Sequence, residues 1–194
     1  MPPAQLILAS ASPRRRQLLE QLGLKFEVRP TDIDESIQGG ETPSAYVERI
    51  AMNKAEHVAA QMPQVLILGA DTAVVVDGRI LGKPQSPDDA RRMLTLLSGR
   101  SHAVLTGIAL AGTHQSSRVV ESQIEFRILS RREIDWYIRT GEPMDKAGAY
   151  GAQGVGSFLI QSVHGSFSNV IGLPLAETLL LLNRAGVSFP WSEA

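Results

Sequence analysis

Val65-Leu66-Ile67-Leu68 is an uninterrupted apolar run. In an extended chain successive side chains point to opposite faces, so a strand with no polar alternation needs cover on both sides. The chain carries suitable covers. Tyr46, Val47, Ile50, Ala51, Ala55 and Val58 form a stripe of helical period behind Thr42-Pro43, and Leu18, Leu19 and Leu22 follow Ser12-Pro13 in the same way. A strand buried on both faces with amphipathic helices to bury it requires a layered α/β arrangement.

The punctuation agrees. Leu6 to Ala9 reads as a strand, Ser12 as an N-cap, Pro13 as the first helical residue and Gly23 as the stop. Lys25 to Arg29 alternates like a strand and ends at Pro30. Val74 to Ile80 reads as a hairpin turning at Asp77-Gly78. Ser86-Pro87 opens a helix that runs to about Leu97 and closes at Gly99, and His102 to Ala111 and Arg118 to Leu129 read as long strands. Ser130 and Glu133 have capping-box spacing, their helix ending at Thr140-Gly141. Phe158 to Val163 reads as a strand, and Pro174 begins a last helix. Alternation early and antiparallel strands later predict a mixed-sheet α/β fold. No repeat or linker interrupts the chain, which is expected to form one unit over 1–194.

Hydrophobic residues at 43% and charged ones at 20% exclude wholesale disorder. Nineteen Lys plus Arg against twenty Asp plus Glu argue against a polyanion-coating protein. Aromatics at 5%, not interleaved with the arginines, argue against a single-strand nucleic-acid platform. The lack of cysteine excludes disulfides, thiolate metal sites and a Cys nucleophile, and it fits a reducing cytosol. The N-terminus carries no basic leader, and no segment approaches the ~18 apolar residues of a membrane span. A soluble, cytoplasmic protein without nucleic-acid or membrane partners is expected.

Four segments could carry chemistry. Ser10-Ala11-Ser12-Pro13-Arg14-Arg15-Arg16 puts two hydroxyls and three arginines at a helix N-terminus, where unpaired N–H groups attract anions. Arginines there oppose the helix dipole, so a bound phosphate would explain them, a solvated basic first turn being the alternative. Gly69-Ala70-Asp71-Thr72 follows the buried apolar run, so Asp71 would stand at the strand's carboxyl end, holding a metal or a water, or simply closing a turn. Asp32-Ile33-Asp34-Glu35 suits a hard cation such as Mg²⁺, or is an ordinary polar loop. Met144 to Gly156 holds four glycines in nine residues, from Gly148 to Gly156, for close backbone approach to a ligand or merely for a flexible loop. Within it Gln153 offers both a donor and an acceptor to a base edge. Lys54 and Lys83, taken singly, read as surface residues or ligands. There is no G-x-S-x-G, Walker A loop or G-x-G-x-x-G, and His57, His102, His114 and His164 lack zinc-ligand spacing.

Taken in order, Leu8-Ala9-Ser10-Ala11-Ser12-Pro13-Arg14-Arg15, Asp34-Glu35, Ala51-Met52-Asn53-Lys54-Ala55, Gly69-Ala70-Asp71-Thr72, Gly82-Lys83-Pro84, Leu97-Ser98-Gly99-Arg100-Ser101-His102, Asp145-Lys146-Ala147-Gly148-Ala149-Tyr150-Gly151 and Gly172-Leu173-Pro174 resemble the Maf family of nucleoside triphosphate pyrophosphatases. The resemblance implies an elongated mixed sheet flanked by helices, related to the inosine triphosphate pyrophosphatase fold, with two lobes around one cleft and usually a homodimer. It implies hydrolysis of a nucleoside triphosphate to monophosphate and pyrophosphate with a divalent metal, Mg²⁺ or Mn²⁺. Asp71 matches the family's proton acceptor and a metal-site position, and Glu35 its metal-site acid. Lys54, Lys83 and Arg14 match phosphate ligands, joined by Ser10 and Ser12 of the helix N-terminus. The segment Lys146 to Gly151 followed by Gln153-Gly154 is similar to the dTTP and UTP branch, which makes Arg14, Thr72 and Gln153 the specificity positions. Two rivals stand beside this: a non-catalytic nucleotide sensor tied to cell-division arrest, and a housecleaning enzyme for non-standard purine triphosphates or 7-methyl-GTP.

Overall fold

The computed structural model describes residues 6–191. The expectation that the first five residues carry no basic leader falls outside them. The elements in chain order are β1 (Leu6–Ala9), α1 (Pro13–Gln21), β2 (Phe26–Val28), α2 (Pro43–Ala59), β3 (Leu66–Val76), β4 (Arg79–Leu81), α3 (Pro87–Leu97), β5 (Ser101–Gly112), β6 (Ser116–Phe126), α4 (Arg131–Arg139), β7 (Ile160–His164), α5 (Phe167–Ile171) and α6 (Leu175–Arg184). Short 3-10 turns lie at Glu142–Asp145, Ala147–Ala149 and Val155–Leu159.

Helix starts follow the capping residues. The side chains of Ser12, Thr42 and Ser86 accept from the backbone N–H three residues on, each with proline at the helix start. The Ser130–Glu133 capping box closes in both directions. Asp77 (φ 50°) and Gly78 (φ 72°) are both left-handed, the pair a two-residue hairpin between Val76 and Arg79 needs.

Strand order is β2-β1-β3-β5-β6-β7, with β4 paired to β3. β1 runs parallel to β2 and to β3, whereas β4 on β3 and β7 on β6 are antiparallel. The chain leaves β1 through α1 to β2 on one side, then returns through α2 to β3 on the other. The connections therefore diverge at the β1/β3 pair, where open α/β sheets place ligands.

Several strand boundaries differ from the expected ones: β2 keeps only Phe26–Val28, β6 runs Ser116–Phe126 and stops three residues before Leu129, and β3 and β7 differ for reasons the neighbouring residues supply. The strand does not end with the apolar run at Leu68: β3 spans 11 residues in all, Leu66–Val76, so Asp71 lies mid-strand rather than just past a strand end. The reason is the β-branched Val74-Val75-Val76, whose pairing with β4 carries the strand through Gly-Ala-Asp-Thr. The strand that stops is β1, whose last partner pair is Ala9 with Gly69. Asp71 thus stands just beyond the carboxyl end of β1. β7 begins at Ile160 instead of Phe158, because Val155–Leu159 forms a 3-10 turn.

The described chain divides into two compact units: residues up to Asp71, Thr106–Val120 and from Gly172 on; and Thr72–Leu105 with Glu121–Ile171. In the first, Ile7, Ala9, Ile67 and Ala111 pack with Ala55 and Val58 of α2. Two glycines bring this helix close. A Cβ on Gly69 would lie 2.1 Å from the Ala51 carbonyl oxygen, and one on Gly107 would lie 2.2 Å from that of Val47. In the second, Val74, Leu94, Leu97, Phe126 and Tyr137 belong to one buried cluster. There His102 packs edge-on against Phe126 and Tyr150, its Nε2 2.8 Å from the Tyr150 hydroxyl. Burial pulls the His102 imidazole down to about 4.

Two expectations follow. Gly107→Ala, whose methyl would overlap helix backbone, destabilises by about 2–3 kcal/mol and lowers Tm by roughly 5–10 °C, whereas Gly39→Ala, with nothing near its added Cβ, leaves Tm unchanged in the same melt. His102 takes a proton below about 6.5 when unfolded but only near 4 when folded, so the unfolded state binds more protons between these limits. Stability falls as pH drops through that window, by about 3 kcal/mol in total from this group. Urea titrations at pH 4.5 and 7 should show a smaller difference for His102→Gln than for the parent.

Candidate active site

The loop after β1 and the first turn of α1 separate the three arginines. Arg15 is buried at 8% exposure, its Nε donating to the Gly172 carbonyl (2.8 Å) and its Nη1 to Ser10 Oγ (3.1 Å). Burial pulls this guanidinium below its usual range, the Asp71 carboxylate opposes the shift, Arg14 adds to it and Glu35 opposes it. Arg16 is exposed and pairs with Glu20 one turn on (2.7 Å), a contact of little energetic weight. Arg14 is half-buried. Ser10 Oγ also accepts from the Ser12 N–H (3.2 Å), so both its acceptor positions are engaged and its O–H proton points elsewhere. Ser12 is committed as the cap of α1.

Alternation along β3 sets Ile67, Gly69 and Asp71 on the face that receives α2. Lys54 lies on the buried stripe of that helix, beside Ala51, Ala55 and Val58. Lys54 and Asp71 are each 7% exposed, and Lys54 Nζ donates to Asp71 Oδ1 at 2.7 Å. The same ammonium is 2.7 Å from Glu35 Oε1. One cation thus gathers two carboxylates from two distant stretches of sequence.

The loop between β2 and α2 that carries Glu35 is fastened to α2. The Tyr46 hydroxyl donates to the Glu35 carbonyl (3.1 Å), and Arg49 makes a two-pronged bond to Glu41 (2.6 and 2.7 Å) and a third to the Ser36 carbonyl (3.0 Å). Burial, with Asp71 and Glu35 nearby, pushes the Tyr46 phenol up to about 12, so it remains a donor. Asp34 accepts from the Ser36 N–H (2.9 Å) and hydroxyl (3.0 Å), which hold its carboxyl below the usual range. Within Asp32 to Glu35, therefore, Asp34 shapes the loop and Glu35 turns to Lys54. Tyr46 and Arg49 were absent from the residues singled out by sequence. Tyr46 belongs to the apolar stripe and reads as core, and nothing local marks Arg49.

Thr72, Lys83 and Gln153 belong to the second unit. Thr72 follows Asp71 on β3 and is half-buried, and Lys83 and Gln153 are exposed. The carbonyl before Lys83, that of Gly82, accepts from the Gly148 N–H (3.0 Å), tying the Lys83 stretch to the glycine-rich segment. At Gly148 the close approach is to the protein's own side chains. Gly148 is left-handed (φ +68°), and a Cβ there would come within 2.9 Å of the Val74 side chain.

Among the described residues no group of three or more His, Asp or Glu could hold a metal. The Asp71 and Glu35 oxygens that already take one cation between them are nonetheless the kind of pair Mg²⁺ uses when phosphates and waters complete its shell. The donor set fits a divalent metal held jointly with a polyphosphate.

A family described as Maf-like protein matches residues 5–185. The dTTP/UTP pyrophosphatase of Myxococcus xanthus (strain DK1622) is 54% identical over 186 residues, 96% of this chain and 95% of that protein. The dTTP/UTP pyrophosphatase of Anaeromyxobacter dehalogenans (strain 2CP-C) is 52% identical over 194 residues, 97% of this chain and 98% of its own length. Among solved structures, a HAM1 protein from Coxiella burnetii aligns over 81% of this chain and 80% of its own at 20% identity with a TM-score of 0.49. With the family match spanning nearly all of the sequence and relatives sharing half of their residues along it, the chain belongs to the Maf-like protein family.

Proposed function

We propose that this protein hydrolyses dTTP and UTP to the nucleoside monophosphate and pyrophosphate with a divalent metal, acting as a cytoplasmic homodimer. The observation that carries the catalytic reading is the buried Lys54 ammonium holding Asp71 and Glu35 at 2.7 Å each, beside the anion-attracting start of α1. The substrate class rests on the relatives named dTTP/UTP pyrophosphatase at 49–54% identity. The homodimer rests on the family resemblance, and the cytoplasmic placement on the cysteine-free composition, which fits a reducing compartment. No helix among the described residues is long and apolar enough to cross a membrane.

The reaction forms a bond from a water oxygen to the α-phosphorus and breaks the bond from that phosphorus to the oxygen bridging to the β-phosphate. Pyrophosphate leaves with the electron pair, and a proton must leave the water. Asp71 takes that proton. Its Oδ1 is engaged by Lys54, which fixes the carboxylate and leaves Oδ2 to face the attacker. Asp71 and Glu35 would hold a divalent metal, which would supply charge neutralisation on the phosphates and a more acidic water. Arg14, Lys54 and Lys83 bind phosphate oxygens, with the Ser10 hydroxyl and the N–H groups of the α1 start, capped by Ser12, completing the anion site. Arg14, Thr72 and Gln153 discriminate the nucleotide.

The test is pyrophosphate release from UTP, dTTP, ITP and 7-methyl-GTP, each with Mg²⁺ and with EDTA. The expected pattern is metal-dependent release from UTP and dTTP at least tenfold faster than from the other two. UTP bound without release would favour a sensor, and faster release from ITP a purine housecleaning role. Asp71→Asn keeps an oxygen for Lys54, so its Tm should stay within a few degrees of the parent while turnover falls by ~10²–10³. A variant with near-normal turnover would remove Asp71 from the base role.

A further inference from the structure

The second unit holds a network around a half-buried carboxylate, Glu142, that the reaction does not use. Glu142 Oε1 accepts from the Tyr137 hydroxyl (2.9 Å) and from the Gly156 N–H (2.9 Å), and Oε2 accepts from the Val155 N–H (3.0 Å). The Tyr137 hydroxyl in turn accepts from the Gly151 N–H (3.1 Å). One side chain and its tyrosine partner therefore bind the backbone at 151, 155 and 156, bracketing Gln153 on both sides. The glycines make room for them. A Cβ on Gly156 would lie 2.4 Å from the Tyr137 hydroxyl, and one on Gly154, which is left-handed at φ +85°, would lie 2.9 Å from Glu142 Oε2. Tyr137 is fully buried, and burial pushes its phenol well above the usual range, so it stays a donor to Glu142. Gln153 itself is exposed.

We propose that Glu142, with Tyr137, is a positioning residue for base recognition, holding the 151–156 backbone so that the Gln153 amide is aimed before the nucleotide arrives. The inference rests on the reading of Gln153 as the base-contacting residue. A uracil or thymine edge alternates carbonyl acceptors with one N–H donor, and a side-chain amide can satisfy two neighbouring groups of that edge only at a fixed orientation. A loop ordered in the free protein loses less entropy on binding, so the clamp acts on affinity for the base rather than on the chemical step. Glu142→Gln tests this with almost no change of shape. Its NH₂ end meets an N–H or O–H that the carboxylate accepted, so at least one bond becomes donor against donor.

Calorimetric titration with UMP and with ribose 5-phosphate isolates the base, since ribose 5-phosphate carries an anomeric hydroxyl where UMP carries uracil, and neither is turned over. In Glu142→Gln the UMP Kd should rise on the order of tenfold while that for ribose 5-phosphate changes less than twofold, and KM for UTP should rise with kcat within about twofold. Tyr137→Phe should show a smaller loss of the same form, and it decides the question if Glu142→Gln does not fold. In a Gln153→Ala background, Glu142→Gln should have no further effect on UMP. Unchanged UMP affinity, equal weakening of both ligands, or a parent that binds UMP no better than ribose 5-phosphate would each overturn the clamp. A parent that binds UMP through this loop yet releases no pyrophosphate from UTP would overturn the reaction and leave the clamp standing.

Discussion

Helix α2 rests on the sheet with no side chain between them at two points. The carbonyls of Val47 and Ala51 approach Gly107 and Gly69 so closely that even a methyl group would overlap them. This contact lowers the helix until the Lys54 stem, buried along the apolar stripe, brings its ammonium level with Asp71. The loop bearing Glu35 then has a cation to fold against, with Tyr46 and Arg49 of the same helix fastening it. The constellation in the first unit is thus a consequence of backbone packing.

Ion pairs this deeply buried are poor evidence of a stabilising role, because removing two charges from water costs about what their attraction returns. Lys54 and Asp71 are buried together and Arg15 lies close by, its guanidinium pulled one way by burial and the other by Asp71 and Glu35. An apolar trio of the same volume would fill the space as well. What it could not do is present a fixed carboxylate beside an anion-attracting helix start. That contrast is what supports the proposed catalytic role of the cluster.

Much of the architecture was legible because local signals and tertiary needs coincide. Ser12-Pro13, Thr42-Pro43, Ser86-Pro87 and Ser130 mark helix starts through hydrogen bonds made within one turn, and Asp77-Gly78 marks the hairpin through its backbone conformation alone. The extent of β3 was not legible, since Gly-Ala-Asp-Thr has little strand propensity and is held there by its neighbours. The candidate site divides the same way. Asp71, Lys54 and Glu35 could be singled out by residue type and by family resemblance, but their meeting on one ammonium could not. The fates of the arginines were likewise hidden: Arg15 is spent on a carbonyl 157 positions away and Arg16 on a neighbour. The register of Lys54 with Ile50, Ala51, Ala55 and Val58 was a further signal, of burial, that reading it as a surface residue overlooks.

The glycine seats beneath α2 also decide which parts of the first unit can yield. A helix locked to its strands at Gly69 and Gly107 cannot slide or roll without collision, so Lys54 and Asp71 travel together as one body. The stretch between β2 and α2 is mostly exposed and is anchored through a few polar bonds from Tyr46, Arg49 and Lys54. Within the first unit the Glu35 segment is thus held by polar bonds to α2, whereas Lys54 and Asp71 are seated by the backbone packing of that helix on the sheet.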